Sequence, residues 1–299
     1  MNQSAGSAPL RVGYQGGPGA FSELAVMRHF SRLGTGDPEH IGFRDFRSML
    51  EAVSAGELDY ALLPVENSIA GSIHESYDLL RTSGLHIVGE EILRIVHCLI
   101  GLRELPLEQL TRVYSHPVAL AQCREFIRTV PGLEATVYHD TAEAVRFIRD
   151  EGKDAYAAIA SERAAELYGL PILRRDIADH PENFTRMVLV SREPEGPDQA
   201  PNEIPEMESE AAAKTSLIFG LPHQKGALAR VISLLAERDL NLAKIESRPY
   251  PMRPFEYIFY LDFLGSARDE HIIKTLRELS EITEDLRVLG SYRAAQPGR

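Results

Sequence analysis

Asn183-Phe184-Thr185-Arg186 stands directly ahead of the apolar run 187–190, setting a hydroxyl and a guanidinium where a strand begins. An arginine presents a planar fork of donors matched to a carboxylate, and a threonine hydroxyl can donate to an oxygen that is leaving or gaining charge. Pro64-Val65-Glu66-Asn67-Ser68 follows a run that reads as a buried strand and precedes Gly71 and a helix. It thus puts three polar side chains at a strand's C-terminal end, where open α/β sheets bind ligands. Asn67 and Ser68 also suit a turn, whereas Glu66 answers no such structural need. Ser115-His116-Pro117 repeats that placement, with Gln122 in the helix that follows. Ser115 reads either as that helix's N-cap or as a ligand contact. It does not form a nucleophile pair with His116, because neighbours in extended chain point to opposite sides. Asp140-Thr141 and Ala160-Ser161 occupy equivalent junctions.

The turn Gly16-Gly17-Pro18-Gly19 lies between the first strand and its helix, so its backbone amides, that of Gly17 included, can approach an anion. Its spacing fails the dinucleotide fingerprint, and no acidic residue closes the second strand to hold a ribose. The ten histidines show no metal-ligand spacing with one another or with cysteine, so neither a metal nor a cofactor is expected.

The elements that must position these residues follow an α/β alternation. Strands are expected at 11–14, 41–43 and 60–65, each followed by a helix starting after Gly19, at Phe46 and at Ile73. A long apolar stretch, 85–102, then breaks the pattern. Strands at 112–115, 135–139 and 155–160 resume it, with helices from Val118, Ala142 and Glu162, before 171–175 leads back to 183–191. Two such crossings imply two α/β lobes with a cleft between them, the usual place for a small ligand. Residues 193–214, rich in proline and acids, read as a linker. The order beyond it is strand 215–220, helix 227–238, strands 242–248 and 256–263, helix 269–279 and strand 286–289. That is a ferredoxin-like βαββαβ domain.

A chain of 299 residues with a formal net charge of −12 has ample apolar content for real cores but no basic surface for nucleic acid or an anionic membrane. Cys98 and Cys123 are too few for a disulfide framework and read as buried thiols in a reducing compartment. Residues 1–10 lack the pattern of a secretory signal, and no stretch is long enough for a membrane span, so a cytoplasmic location is expected.

Taken in order, PVENS, SHPVALAQC, DTAEA, NFTR, GALA and IESRP make the chain, from Arg11 to about Tyr292, resemble prephenate dehydratase followed by an ACT domain. The forms YQGGPGAFSE, VENSIAGSIHESYDLL and HIVGE are closest to the branch that includes the plant arogenate dehydratases. The resemblance implies a catalytic unit like a type II periplasmic binding protein at 10–192, a linker at 193–213 and a regulatory ACT domain at 214–293. The implied reaction converts prephenate to phenylpyruvate, water and CO2, or arogenate to phenylalanine. Thr185 matches the family's essential threonine, with Glu66 a second acid candidate. Asn67, Ser115, Gln122 and Arg186 match the family's motifs and are the implied substrate ligands, with Ser68, Thr141, Ser161 and Gly17 further candidates from their strand-to-helix positions. Met187 replaces the aromatic residue of the family's Thr-Arg-Phe motif, and Ala20 stands where its glycine-rich start commonly has a threonine, so any contact from that second threonine is absent. Phenylalanine is the implied effector, held between ACT domains of a homodimer or homotetramer by Gly226, Ala227, Leu228, Asn241, Glu246, Ser247, Arg248 and Pro249. Two readings of other classes fit the same fold: a protein that binds an aromatic acid without chemistry, and an amino-acid-sensing regulator of another enzyme. For the second there is neither a helix-turn-helix nor a basic patch.

Overall fold

The computed structural model describes residues 9–34, 36–194, 213–250 and 253–297. β1 (Arg11–Gln15), α1 (Phe21–Leu33), β2 (Glu39–Phe43), α2 (Phe46–Ala55) and β3 (Tyr60–Asn67) open the chain, with β1 parallel to both β2 and β3. A short β4 (Gly71–Ser72) folds back on β3, and α3 (His74–Ser83) leads to β5 (His86–Arg94). A second sheet then forms from β6 (Cys98–Gly101), β7 (Arg112–Ser115), β8 (Glu134–Val137), β9 (Tyr156–Ala160) and β10 (Ile172–Arg174). Its helices are α4 (Pro117–Gln122), α5 (Arg124–Thr129), α6 (Thr141–Glu151) and α7 (Glu162–Tyr168), after which β11 (Phe184–Ser191) returns to the first sheet. The strand orders are β2-β1-β3-β11-β5 and β10-β6-β9-β7-β8, so both expected crossings, through β5–β6 and β10–β11, are present.

Local chemistry sets the helix ends. Asp45 and Asp140 accept from the amides of Ser48 and Glu143 at 2.9 and 2.8 Å, and Ser161 accepts from Ala164 at 3.0 Å. Each cap is worth about 1 kcal/mol. The single helix expected from Val118 is instead two, broken at Cys123. The cause lies in Asp179, whose amide takes the Gln122 carbonyl at 2.7 Å while its carboxylate receives the Glu125 amide at 3.1 Å. His116, not Ser115, caps α4, its Nδ1 accepting from the Val118 amide at 3.3 Å, and Pro117 holds the first turn as expected. Leu99, Val113, Cys123, Ala157 and Ile159 fill the core of this lobe. Burying each large apolar side chain among them contributes about 1.5–3 kcal/mol.

The C-terminal domain is β12 (Ala213–Gly220), α8 (Ala227–Glu237), β13 (Leu242–Pro249), β14 (Tyr257–Leu264), α9 (Glu270–Ile282) and β15 (Glu284–Arg293), the expected βαββαβ order. Its antiparallel sheet runs β13-β14-β12-β15. The expected linker falls largely outside the described residues, and β12 begins within it, at Ala213. Strand alternation gives this sheet two faces. Leu217, Phe219, Leu261 and Phe263 pack beneath α8 and α9 with Val231 and Ile272. Ser216, Tyr260, Asp262 and Tyr292 occupy the other face, where Ser216 bonds Asp262 at 2.6 Å and Tyr292 at 2.7 Å.

Packing divides the chain into two compact units, and the one containing Val188–Gln296 also takes in His74–Glu91. Within it α3 and the start of β5 cover the sheet's second face. The Tyr77 and Tyr260 rings lie 4.8 Å apart, and the Tyr260 hydroxyl donates to the Tyr77 carbonyl at 2.6 Å. Arg287 donates to the Leu80 carbonyl at 2.7 Å, and Lys214 bonds both oxygens of the buried Glu90 carboxylate at 2.8 and 2.9 Å. Gly290 lies opposite Ser216, so it faces this packing, and a Cβ there would come within 1.8 Å of the Ile87 carbonyl oxygen. Only a glycine admits that approach. Gly290→Ala is expected to cost about 2–3 kcal/mol of stability; a urea midpoint equal to the parent's would show that the approach is not needed.

Candidate active site

Asn67 ends β3 with its side chain pinned by the backbone. Its Oδ1 accepts from the Ile69 and Ala70 amides at 3.0 and 2.8 Å, the Asx turn that its sequence context suggested. Its Nδ2 therefore faces the other way, its two hydrogens shared among Asn183 Oδ1 at 2.8 Å, Thr185 Oγ1 at 3.1 Å and the Phe184 carbonyl at 3.2 Å. Asn183 Nδ2 in turn donates to Gln122 Oε1 at 3.0 Å, and Gln122 Nε2 returns to Asn67 Oδ1 at 3.3 Å. Three amides thus form a closed triangle in which each donates to the next. All three are buried.

The consequence falls on Thr185. Its oxygen accepts from Asn67, so its own proton points elsewhere, and no described residue receives it. The site therefore offers one oriented hydroxyl donor, held by amides that carry no charge. Asn67, Gln122 and Thr185, expected from sequence, are brought together here. Asn183, which opens the motif but was given no role, completes the triangle, and His97 was not singled out at all. His97 Nε2 meets Gln122 Oε1 at 2.9 Å. The signal for it was present, since a histidine in the middle of the apolar run 85–102 requires a buried partner.

Other expected ligands are spent on the scaffold. The Ser68 hydroxyl donates to the Glu182 carbonyl at 3.0 Å and accepts from the Phe184 amide at 2.9 Å, tying β3 to β11. Ser115, fully buried, donates to the Ile159 carbonyl at 2.6 Å. Ser161 caps α7 and donates to the Gly19 carbonyl at 2.6 Å. These bonds, rather than a substrate, account for those three hydroxyl protons. Within the glycine turn the amides of Gly16, Gly19 and Ala20 go to Phe43, Glu23 and Gly17 at 2.8, 2.7 and 3.0 Å. The Gly17 amide and the Thr141 hydroxyl have no such bond among the described residues. The turn packs against the start of α6, since Cβ atoms at Gly16 and Gly17 would come within 2.9 Å of the Asp140 and Glu143 carboxylates.

Glu66 pairs with Ser72 and Asn67 with Gly71 in regular register, so alternation turns Glu66 to the strand face opposite Asn67. Arg186 is likewise turned away from Thr185 along β11.

In the C-terminal domain the effector candidates divide by strand face. Glu246 and Arg248 lie opposite Tyr260 and Ile258, on the face toward α3. Arg248 donates to Asp78 at 2.9 Å, which raises its pKa, and Glu246 lies 3.6 Å from His74. Ser247 and Pro249 are exposed on the helix-bearing face, where α8 begins with the exposed Gly226, the buried Ala227 and the half-buried Leu228, while the Asn241 carbonyl accepts from the Leu264 amide at 2.9 Å.

Burial sets the protonation states. It lowers the pKa of His97 and of His116, and pushes the Cys123 thiol up to about 12, so neither buried cysteine is a thiolate nucleophile. No group of three or more histidine, cysteine or acidic side chains suited to a metal occurs among the described residues. Nor is any of their helices long and apolar enough to cross a membrane.

The prephenate dehydratase family model matches residues 12–195, and the ACT domain model residues 215–281. Arogenate dehydratase/prephenate dehydratase 2, chloroplastic, of Arabidopsis thaliana is 41% identical over 292 residues, covering 95% of this chain and 72% of that protein. A solved prephenate dehydratase from Arthrobacter aurescens in complex with L-Phe is 32% identical, with a TM-score of 0.82 over 97% of this chain and 92% of that one. GqqA, described as a novel type of quorum quenching acylase, is 34% identical, with a TM-score of 0.79 over 95% of this chain and 98% of that one.

Because the folded-state pKa values of His97 and His116 are lowered, the unfolded chain takes up protons first as pH falls. Stability from these groups is complete above the ordinary imidazole value of about 6.5 and is lost as pH drops below it. Thermal unfolding across that range is expected to show the loss, with a shallower fall in His97→Phe. An equal slope in the variant would remove His97 from the linkage.

Proposed function

From the chain's membership of the prephenate dehydratase family, with an ACT domain following, we propose that it catalyses the decarboxylating dehydration of prephenate to phenylpyruvate, water and CO2 under the control of phenylalanine. The observation that carries the mechanism is the Asn67 Nδ2 to Thr185 Oγ1 bond of 3.1 Å, which leaves the threonine's proton directed at the substrate. As the bond to the leaving carboxylate breaks, its electron pair passes through the ring and expels the ring hydroxyl, and the ring becomes aromatic. A threonine is too weak an acid to surrender its proton outright. It acts instead as a donor to the departing oxygen, whose charge it stabilises in a site of low polarity while the proton that completes water comes from solvent. The substrate's retained carboxylate is assigned to the Gly17 amide and the Thr141 hydroxyl.

One observation favours arogenate as a second substrate. Asp140 and Glu143 stand against Gly16 and Gly17, where their carboxylates suit the ammonium that arogenate carries in place of the keto group. Comparing kcat/KM on the two compounds decides between them, and Asp140→Asn is expected to lower the value for arogenate more than for prephenate.

For the effector, Gly226, Ala227, Leu228, Ser247 and Pro249 form the better-placed set, since Glu246 and Arg248 are engaged on the other face. Asn241 precedes the same strand, β13, an edge of its sheet that carries the exposed Ile245 and Ser247. An exposed edge of this kind supports pairing with a second copy, as homodimer or homotetramer, with phenylalanine between the domains. The acidic composition and two buried thiols support a cytoplasmic enzyme.

Thr185→Ala is expected to lower kcat by roughly a hundredfold to a thousandfold with prephenate, as loss of one preorganised donor does. Glu66→Gln is expected to lose far less. Following phenylpyruvate absorbance checks both, and near-parental turnover by Thr185→Ala would remove that residue from the mechanism.

A further inference from the structure

We infer that His97, buried behind the site and never in contact with substrate, is a positioning residue: its Nε2–H holds the Gln122 carbonyl oxygen and so fixes the polarity of the amide triangle that orients Thr185. This rests on the reading of Thr185 as the donor to the leaving oxygen.

The tautomer follows from the backbone outward. Two main-chain amides bind Asn67 Oδ1, and the Phe184 carbonyl accepts from Asn67 Nδ2, so that amide cannot be reversed without setting donor against donor and acceptor against acceptor. Asn67 Nδ2 fixes Asn183 with its oxygen toward Asn67, which turns Asn183 Nδ2 onto Gln122 Oε1. Gln122 Nε2 is then committed to Asn67 Oδ1. Only its oxygen faces His97, and an oxygen facing a ring nitrogen at 2.9 Å demands that the nitrogen carry the proton. Nδ1 is therefore unprotonated, and it is buried with no hydrogen-bond partner among the described residues. A second proton on the ring would have nowhere to go. The nearby charge of Asp176 favours the imidazolium, but burial outweighs it. The Phe21 ring lies edge-on to His97 at 5.4 Å and 87°, which fixes the plane in which Nε2–H points.

Gln122 sits at the last position of a one-and-a-half-turn helix whose carbonyl is already drawn aside by Asp179, so its side chain has little else to hold it. Without His97 its oxygen keeps only the Asn183 bond. The triangle then loosens at the corner farthest from the backbone, and the Thr185 proton is less firmly aimed.

Two measurements on the full-length protein test this. In the parent, long-range proton–nitrogen NMR correlations of histidine-labelled protein are expected to show His97, assigned by its loss in His97→Gln, as the neutral Nε2–H tautomer throughout the neutral pH range. The Nδ1–H tautomer or an imidazolium there overturns the inference, and this spectrum needs no substrate. In kinetics, His97→Phe keeps the ring packing against Phe21 but not the donor, and is expected to lower kcat about threefold to tenfold while KM changes less, the span of one neutral hydrogen bond. His97→Gln, which restores a donor, is expected to recover most of that loss. Parental kcat in His97→Phe, or no recovery in His97→Gln, overturns the positioning role. Absence of turnover by the parent on both prephenate and arogenate defeats the assigned reaction instead, leaving the spectrum to judge the tautomer.

Discussion

A buried side-chain amide must have its oxygen and nitrogen the right way round, and at Asn67 the main chain decides which way that is. Reversing it would set its nitrogen against two backbone amides and its oxygen against a backbone carbonyl, each mismatch costing about 1–3 kcal/mol. That requirement propagates. It sets Asn183, then Gln122, and through Asn67 the direction in which the Thr185 hydroxyl can donate. The end of β3, the last residue of α4 and the first residues of the returning strand β11 must all meet within hydrogen-bond reach for the constraint to be satisfied. Much of the two-sheet architecture exists to bring those three chain segments to one place.

The same economy governs the protons of three serines that the motifs singled out. Ser68, Ser115 and Ser161 each donate to a backbone carbonyl, securing β3 to β11, β7 to β9, and α7 to the glycine turn. Among the described residues, by contrast, the Thr185 hydroxyl, the Gly17 amide and the Thr141 hydroxyl donate to no partner.

The sequence made the architecture legible because its signals were local and periodic. Alternating apolar runs, helix caps such as Asp140 and Ser161, and the βαββαβ order all depend on spacing along the chain, and the structure reproduces them within a few residues. The division of α4 from α5 was not legible, since its cause, Asp179, lies more than fifty residues away. Motif position identified Asn67, Gln122 and Thr185 but could not separate a serine that binds a ligand from one that holds a carbonyl. Strand alternation could have set Glu66 apart from Asn67 as readily as it separated Thr185 from Arg186. His97 and Glu90 were hidden inside a stretch read for its apolar character, although an ionisable side chain in such a run requires a partner.

Gly290 and α3 bear on how this chain can be divided. The helix between β4 and β5 presents Tyr77 to the C-terminal sheet, and Glu90 in the strand that follows gives its buried carboxylate to a lysine from that sheet. Ending the chain ahead of β12 would therefore uncover an aromatic ring and take the Lys214 ammonium from a buried carboxylate, in a segment that the family model counts with the dehydratase part. Proteolysis at the junction would be felt first as insolubility or misfolding of the remaining fragment, and a deregulated but otherwise sound enzyme is not what a simple cut would release.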